Sequence, residues 1–397
     1  MDTVAVDCLI LGGGLSGLWL LNVLRRAGYS TLLIHDGREL GGIQSLNSAG
    51  MIHGGRRELP GLTPKAEHLQ DMPALWENCL RGSGELDLRD VRILAPEQHL
   101  WCPGDLRSRA NLLLNARLSV GKVRHLGRDH FPSLLKSPGF TGHVYALEQP
   151  VLDAVSLLRV LAKPHADCIY QADQQDVHIQ TGDLHSTKAV FVRKGKVQLR
   201  IHPRQVFLAA GAGNAALLQD IGINRPLMRR RPIHMVCVQH AQLPDFYGHC
   251  HDHERRPRLT ITTHPSGSGK MWYIAGAVAE DGVDRDETLQ IQAVKHELQT
   301  LLPWQNLHGA RFRSFLIDRI YPADSSPWQP VRACVQPFGN NWLVWPTRLA
   351  LAPNAGHQIL AGLAQKQVAP SLPQPGPLPM AQPVPGRPLW EMLQTQV

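Results

Sequence analysis

Gly12, Gly14 and Gly17 stand in a G-x-G-x-x-G spacing. A turn of that spacing presents backbone N–H groups and a helix N-terminus to a pyrophosphate, which is the chemistry of dinucleotide binding. Gly12 permits the tight turn, Gly14 lets the backbone approach phosphates, and Gly17 lets the next helix pack closely on the preceding strand. A second group, His249-Cys250-His251-Asp252-His253, carries metal-ligating residue types. Alternate residues of an extended chain point to opposite faces, and no second ligand pair with zinc-finger spacing accompanies the group, so it is expected to be a polar loop. Arg229, Arg230 and Arg231, and the pair Arg255-Arg256, have the charge to hold phosphates. No aromatics are interleaved with them, and a nucleic-acid partner is not expected.

The glycine turn needs a strand before it and a helix after it. Val4 to Leu11 is an apolar strand, the segment from the turn through Ala27 is an amphipathic helix, and Ser30 to His35 is a second apolar strand at the distance a β-α-β unit requires. The following stretch, Gly37 to Gly55, is rich in small residues and long for a surface connection. Such a loop lets backbone approach a ligand.

The chain has 397 residues, enough for two domains, with 43% hydrophobic residues. Its 41 Lys and Arg against 33 Asp and Glu give a net charge of +8, which suits anionic ligands or surfaces but is also an ordinary solvated surface. No apolar run is long enough to span a bilayer, and the first strand starts too near Met1 to leave room for a signal peptide, so a cytoplasmic protein is expected, with peripheral membrane contact left open. Seven scattered cysteines without a C-x-x-C pair suit reduced thiols.

Further along, helical spacing runs from about Pro64 to Leu80 and from Val151 to Ala162. Ala189 to Val192, Lys196 to Ile201 and Gln205 to Ala210 alternate like strands of a small antiparallel unit. Ile233 to Gln239, Leu259 to Thr263, Met271 to Ala277 and Arg311 to Ile317 read as strands of a second sheet, with a helix from Asp286 to Leu302. Trp342 to Trp345 is a strand and Ala352 to Ala364 a helix with Pro353 in its first turn. The proline-rich residues 367 to 389 are expected to be an extended tail that forms no core element.

Four segments resemble the D-amino-acid oxidase-like superfamily of FAD enzymes: the turn from Gly12 to Gly17, the loop from Ser45 to Gly55, the strand and turn from Val206 to Gly213, and the segment from Leu349 to Leu363. The resemblance implies an α/β fold: a discontinuous Rossmann-type FAD-binding domain (1–90, 143–225 and 330–366) and a sheet-based α+β substrate domain (91–142 and 226–329), followed by the tail at 367–397. It implies FAD contacts from Gly12, Gly14, Leu15, Ser16, Gly17, Gly42, Ser45, Ser48, Ala49, Gly50, Met51, Val177, Ala210, Gly211, Thr347, Arg348 and Leu349. Relatives place an acidic ribose-binding residue where this chain has His35 followed by Asp36, so either side chain is a candidate. Relatives also place a glycine-rich turn where this chain has Trp345-Pro346-Thr347-Arg348.

The resemblance further implies oxidation of a C–H bond beside an amine or hydroxyl, with hydride passing to flavin N5 and the electrons going on to oxygen, a quinone or another carrier. Arg319 falls where relatives clamp a substrate carboxylate; the alternative is an ion pair with Asp318 or Asp324. His53 is a candidate acid/base for a substrate proton or else a backbone-bonded loop residue. Thr347 and Arg348 would face the electron-rich pyrimidine edge of the flavin, or Arg348 is a solvated loop cation. Arg56 and Arg57 are candidates for an anionic substrate or phosphate, and Trp272, Tyr273 and Tyr321 for the pocket lining. The substrate expected is a small carboxylate-bearing amino acid, secondary amine or 2-hydroxy acid. Modification of a tRNA base side chain and a non-catalytic FAD-binding role are the rivals.

Overall fold

The computed structural model describes residues 2–37, 39–54, 70–224, 228–254, 256–267, 269–323, 332–345 and 348–392. Two large sheets organise them. The first has a parallel centre in the order Asn341–Trp345, Val197–Leu208, Asp2–Leu11, Thr31–His35, Ile169–Gln171. Its strands are nearly all apolar because helices cover the parallel centre. The Leu15–Arg26 helix makes the crossover between the first two strands, burying Leu18, Trp19, Leu20 and Leu21. The Ala352–Gln365 helix packs beside it, with Gly356 3.3 Å, measured from a would-be Cβ, from the Trp19 ring.

The three segments expected as a small antiparallel unit take a larger form. Val197–Leu208 is one continuous strand, paired antiparallel with Thr187–Lys194 through its first half and parallel with Asn341–Trp345 through its last residues. The expected helix at Val151 to Ala162 begins later, at Ala154. Asp153 caps it, accepting N–H bonds from Val155 and Ser156, while Val151–Leu152 is extended and pairs with Ile93–Ala95. Of the helical spacing from Pro64 to Leu80, Met72–Leu80 is a helix, and residues before 70 lie outside the described set.

The second sheet runs Arg311–Pro322, Met228–Gln239, Gly269–Ala275, Leu259–Ser266, Tyr247–Cys250, Gln98–Cys102, His143–Leu147, Val123–His125. His143–Leu147, which the sequence grouped with the first sheet's segments, belongs to this one. Alternation sorts its side chains. Val236, Val238, Trp272 and Ile274 pack against Val294 and Leu298 of the Glu287–Leu301 helix, whereas Met235, Cys237, Tyr273 and Ile317 form the opposite face. That opposite face meets the loop around Asn47 to Ala49, since Ala49 packs on it and the Tyr273 hydroxyl donates to the Asn47 carbonyl at 3.1 Å.

The proline-rich segment corrects its expectation as a tail without core contacts. It is a strap across the first sheet and beyond. The Asp7 carboxylate, wholly buried, accepts bonds from Ser371 and Leu372. Tyr170 accepts from the Leu378 N–H, Ala381 accepts from the Gln171 N–H, and Val384–Pro385 pairs parallel with Glu39–Leu40. The strap then forms the short Leu389–Met392 helix and buries Trp390 in the open face of the second sheet. Proline lacks an N–H, but the residues between the prolines supply the donors and acceptors that fasten the strap.

Candidate functional site

The glycine turn is as tight as its spacing demands. Gly12 has φ +121°, and a Cβ there would lie 2.5 Å from the Ala209 carbonyl carbon. A Cβ on Gly17 would stand 1.8 Å from the Gly12 oxygen, so only glycine lets this helix approach the strand. Gly14 is the N-cap of the helix, which has neither a side-chain cap nor an acidic residue in its first turn. Its dipole, and the first-turn N–H groups beyond Leu15, whose own N–H is taken by Ser45, favour an anion in front of Ser16. Ser45 fixes the loop opposite, accepting the Leu15 N–H at 3.0 Å.

His35 and Asp36 have separate tasks. The His35 ring is buried, accepts the Gly13 N–H at 3.2 Å through Nδ1, and meets the Glu39 carbonyl at 2.7 Å through Nε2. Both ring nitrogens are therefore spent inside the chain, and burial lowers its pKa, which suits the neutral ring this pairing needs. His35 braces the turn and has no nitrogen left for a ribose, which corrects its place among the ribose candidates. Asp36 is exposed and, with Asp173, Gln174, Gln175, Val177 and His178, lines a cleft of about 750 Å³.

The loop after the short Gly42–Leu46 helix is laid against the segment 149–152. Gly50 has φ +72°, and a Cβ on it would meet the Leu152 oxygen at 1.8 Å. Ser48 Oγ accepts the Gly50 N–H, Met51 bridges to Val151, and Ile52 donates to the Pro150 carbonyl. These bonds, with Ala49 held on the second sheet, fix the backbone on both sides of His53. Ala210 and Gly211 form the turn after the long strand; the Gly211 carbonyl accepts the Trp345 indole N–H at 3.3 Å. Leu349 lies in a 3-10 turn leading into the Ala352–Gln365 helix. Gly55, Arg56, Arg57, Asp324, Pro346 and Thr347 lie outside the described residues.

His53 stands at the junction of the two sheets. Its ring centroid is 5.0 Å from that of His249, which is 6.3 Å from that of His251. His249 and Cys250 end a strand, so the expected polar loop begins only at His251; His249 and His251 are buried, and His253 is exposed. The strand Tyr247–Cys250 turns His249 toward His53 and Cys250 into the opposite core. His249 Nδ1 bonds Thr260 Oγ1 at 2.8 Å, while its buried Nε2 has no hydrogen-bond partner among the described residues. Among those residues no three metal-ligating groups converge on a metal-binding geometry. Burial, reinforced by the charges of His249, Arg348 and His251, holds the His53 pKa well below the ordinary histidine value. Burial alone takes His249 down to about 4.

The two arginines differ. Arg319 donates to Glu280 at 3.2 Å, and Glu280 also receives Arg231 at 3.0 Å. The ion pair considered for Arg319 thus exists, but its partner is Glu280; Asp318 pairs with Arg230. Arg348 is half-buried and has no hydrogen-bond or ion-pair partner among the described residues. Burial pushes its guanidinium below the usual arginine value, with Tyr321 opposing and Arg319 adding to the shift. Arg348, Arg319, Tyr321 and His53 thus share one electrostatic neighbourhood. Tyr273 is on the same face of the second sheet, whereas Trp272 points into the opposite core.

Sequence reasoning missed His249 and His264 as inward-facing groups, Glu280 as the partner of Arg319, and Trp390. His264 is buried, bonded to Thr262 Oγ1 at 2.9 Å, and taken down to about 4, chiefly by burial. The period-2 pattern Thr260, Thr262, His264 was a signal for His264, since alternate residues of a strand share one face. Nothing in the order of residues announces Trp390.

These features meet known proteins at several levels. The family model for FAD dependent oxidoreductases matches residues 7–320. A probable FAD-dependent oxidoreductase of Pseudomonas aeruginosa is 39% identical over 98% of this chain and 99% of its own length. The crystal structure of that organism's FAD-dependent oxidoreductase superposes with TM-score 0.85 at 36% identity, covering 99% of each chain. Glycine oxidase from Geobacillus kaustophilus gives TM-score 0.64 at 16% identity, covering 94% of this chain and 97% of its own. An L-α-glycerophosphate oxidase from Mycoplasma pneumoniae, solved with FAD bound, gives 0.63 at 14%, covering 92% and 95%. The helix that follows this turn, with Gly12 and Gly17 sterically obligatory and no acidic residue in its first turn, fits that cofactor, and the chain belongs to the D-amino-acid oxidase-like family of FAD-dependent oxidoreductases.

Proposed function

We propose that the protein oxidises the C–H bond next to an amine or hydroxyl of a small carboxylate-bearing substrate. The flavin, when bound, supplies the hydride acceptor and hands the electrons to oxygen, a quinone or another carrier. The observation that supports this reading is Arg348, a half-buried guanidinium whose charge is felt at His53 and which has no hydrogen-bond or ion-pair partner among the described residues. A carboxylate pairs with that charge through two parallel charge-assisted bonds and so fixes the substrate's orientation. Arg319, already engaged with Glu280, adds positive potential instead of serving as the principal clamp. His53 is neutral near pH 7 because of its depressed pKa, and in that form it accepts the N–H or O–H proton as the substrate is oxidised. The N-terminus of the Ala352–Gln365 helix, just beyond Arg348, favours negative charge on the cofactor side. Asp36 takes the ribose end of the cofactor. Two relatives of similar fold act, by their names, on glycine and on glycerophosphate, one an amine and one an alcohol, each bearing an anionic group.

Anaerobic titration of the flavin absorbance with glycine, sarcosine, D-proline, L-2-hydroxyglutarate and glycerol 3-phosphate tests the proposal. Bleaching by a carboxylate compound is expected, and Arg348→Gln should raise the concentration needed by about 30-fold, the loss of one charge-assisted contact. Equal bleaching by the corresponding amine or alcohol without a carboxylate would overturn it.

A further inference from the structure

The Leu106–Leu118 helix carries apolar residues on both its faces. Its inward face carries Ser108, Leu112, Asn115 and Ala116. Asn115 reaches His251 Nδ1 at 3.3 Å, and Asn111 donates to the Asp252 and Glu254 carbonyls. Its outward face carries Leu106, Leu113 and Leu114, which are 81%, 38% and 52% exposed. These are three of nine large hydrophobic side chains exposed among the described residues, gathered on one helix. A surface helix ordinarily places such residues on the other side.

Charge is arranged around the leucines. With successive residues about 100° apart, the exposed arc runs Arg109, Leu113, Leu106, Arg117, Ala110, Leu114, Arg107. Two arginines thus flank the leucine stripe and a third lies within it. The helix sequence contains no acidic residue, and none of the three arginines has an ion-pair or hydrogen-bond partner among the described residues.

We propose that this face docks on an anionic lipid bilayer. Leucines enter the boundary between headgroups and acyl chains, while the arginine stems lie along them and bring the guanidiniums up to lipid phosphates. A protein partner fits less well, because the arc holds no aromatic anchor of the kind that centres protein interfaces. Cations on both flanks match a continuous sheet of phosphates better than a single acidic patch. No described helix is long and apolar enough to cross a membrane, so the contact is peripheral. Through Asn115 and His251 the docked helix backs directly onto the candidate site.

The test is co-sedimentation of the FAD-loaded protein with phosphatidylcholine vesicles, with and without phosphatidylglycerol. Pelleting is expected only with the anionic vesicles and should weaken as salt rises. The double variant Leu113→Glu, Leu114→Glu should bind at least about tenfold more weakly with its flavin spectrum unchanged, which shows that it is folded. Arg107→Gln, Arg109→Gln, Arg117→Gln should lose the preference for anionic lipid. Failure to pellet with phosphatidylglycerol, or undiminished pelleting of the leucine variant, would overturn the proposal. So would a lipid-indifferent dimer in sedimentation velocity that the leucine variant converts to monomer, which would assign the face to a second copy of the chain.

Discussion

The Trp390 ring sits 4.9 Å from the ring of Tyr273 at an interplanar angle of 51°, and Asn47 binds both Tyr273 and Leu389, the neighbour of Trp390. The Tyr273 hydroxyl donates to the Asn47 carbonyl, and the Leu389 N–H next to Trp390 donates to Asn47 Oδ1 at 2.8 Å. One asparagine therefore ties the second sheet, the strap and the start of the cofactor-facing loop. His264 completes the group, its ring 5.1 Å from Trp390.

Trp390→Ala is expected to leave a void at that junction. Truncation of a buried tryptophan costs about 3 kcal/mol. Urea denaturation should register this loss. Unchanged stability would show that the indole is dispensable.

Gly17→Ala is expected to abolish FAD retention more than folding. The added methyl would collide with the Gly12 carbonyl at 1.8 Å and push the helix N-terminus away from the turn. The ratio of flavin to protein absorbance after purification measures the effect, and a full complement of flavin in the variant would contradict it.

Acid should destabilise the fold through its inward histidines. His249 and His264 titrate near 4 in the folded chain, against about 6.5 when unfolded. Above pH 6.5 both states are neutral and pH has no effect through these groups. As pH falls from there toward 4 the unfolded chain alone gains protons, so each histidine removes up to about 1.4 kcal/mol of stability per pH unit. The double variant His249→Gln, His264→Gln should show a correspondingly shallower dependence in denaturation experiments at pH 5 and pH 6.5; an identical slope would exclude these two groups as its source.

Asp7→Asn should release the strap. Burial pushes this carboxyl upward, but bonds from Ser30, Arg204, Ser371 and Leu372 outweigh it and hold the pKa below the ordinary carboxylate value. Losing the charge-assisted bonds to this buried carboxylate, whose Arg204 partner reaches solvent, costs about 2 kcal/mol. Faster limited proteolysis between residues 367 and 389 is the accompanying sign, and equal cleavage of variant and wild type would show that the carboxylate does not fasten it.

The opening strand, glycine turn and helix were legible because local sterics determine them: Gly12 and Gly17 admit no alternative side chain. The alternating strands of the second sheet were legible for a similar reason, since period-2 patterning is local. What the sequence concealed depends on partners distant along the chain. His35 looked like a ribose ligand until Gly13 and Glu39 were seen to occupy both its nitrogens. Asp153 moved a helix start by acting as its cap, a signal present in the sequence but outweighed by the apolar run beginning at Val151. The strap was misjudged because proline content describes what a segment cannot do alone, not what other segments can offer it. Arg319 was expected as the carboxylate clamp and Arg348 as the cation facing the flavin, and no local signal marked Glu280, the distant partner that occupies Arg319.

The long strand Val197–Leu208 lies between Asp2–Leu11 and Asn341–Trp345. A chain leaving the ribosome therefore pairs one edge of its first apolar strand early, with Thr31–His35, but leaves the other edge open for roughly two hundred residues until Val197–Leu208 is made, and the neighbour beyond that follows later still. Contacts of such sequence separation form slowly, and the unpaired edges invite association with other chains meanwhile. The turn that receives the pyrophosphate is among the first segments made, yet Ala209, against which Gly12 is packed, arrives in the second half of synthesis. Cofactor capture is thus a late event in the biogenesis of this protein, and nascent molecules depend on protection from aggregation until it occurs.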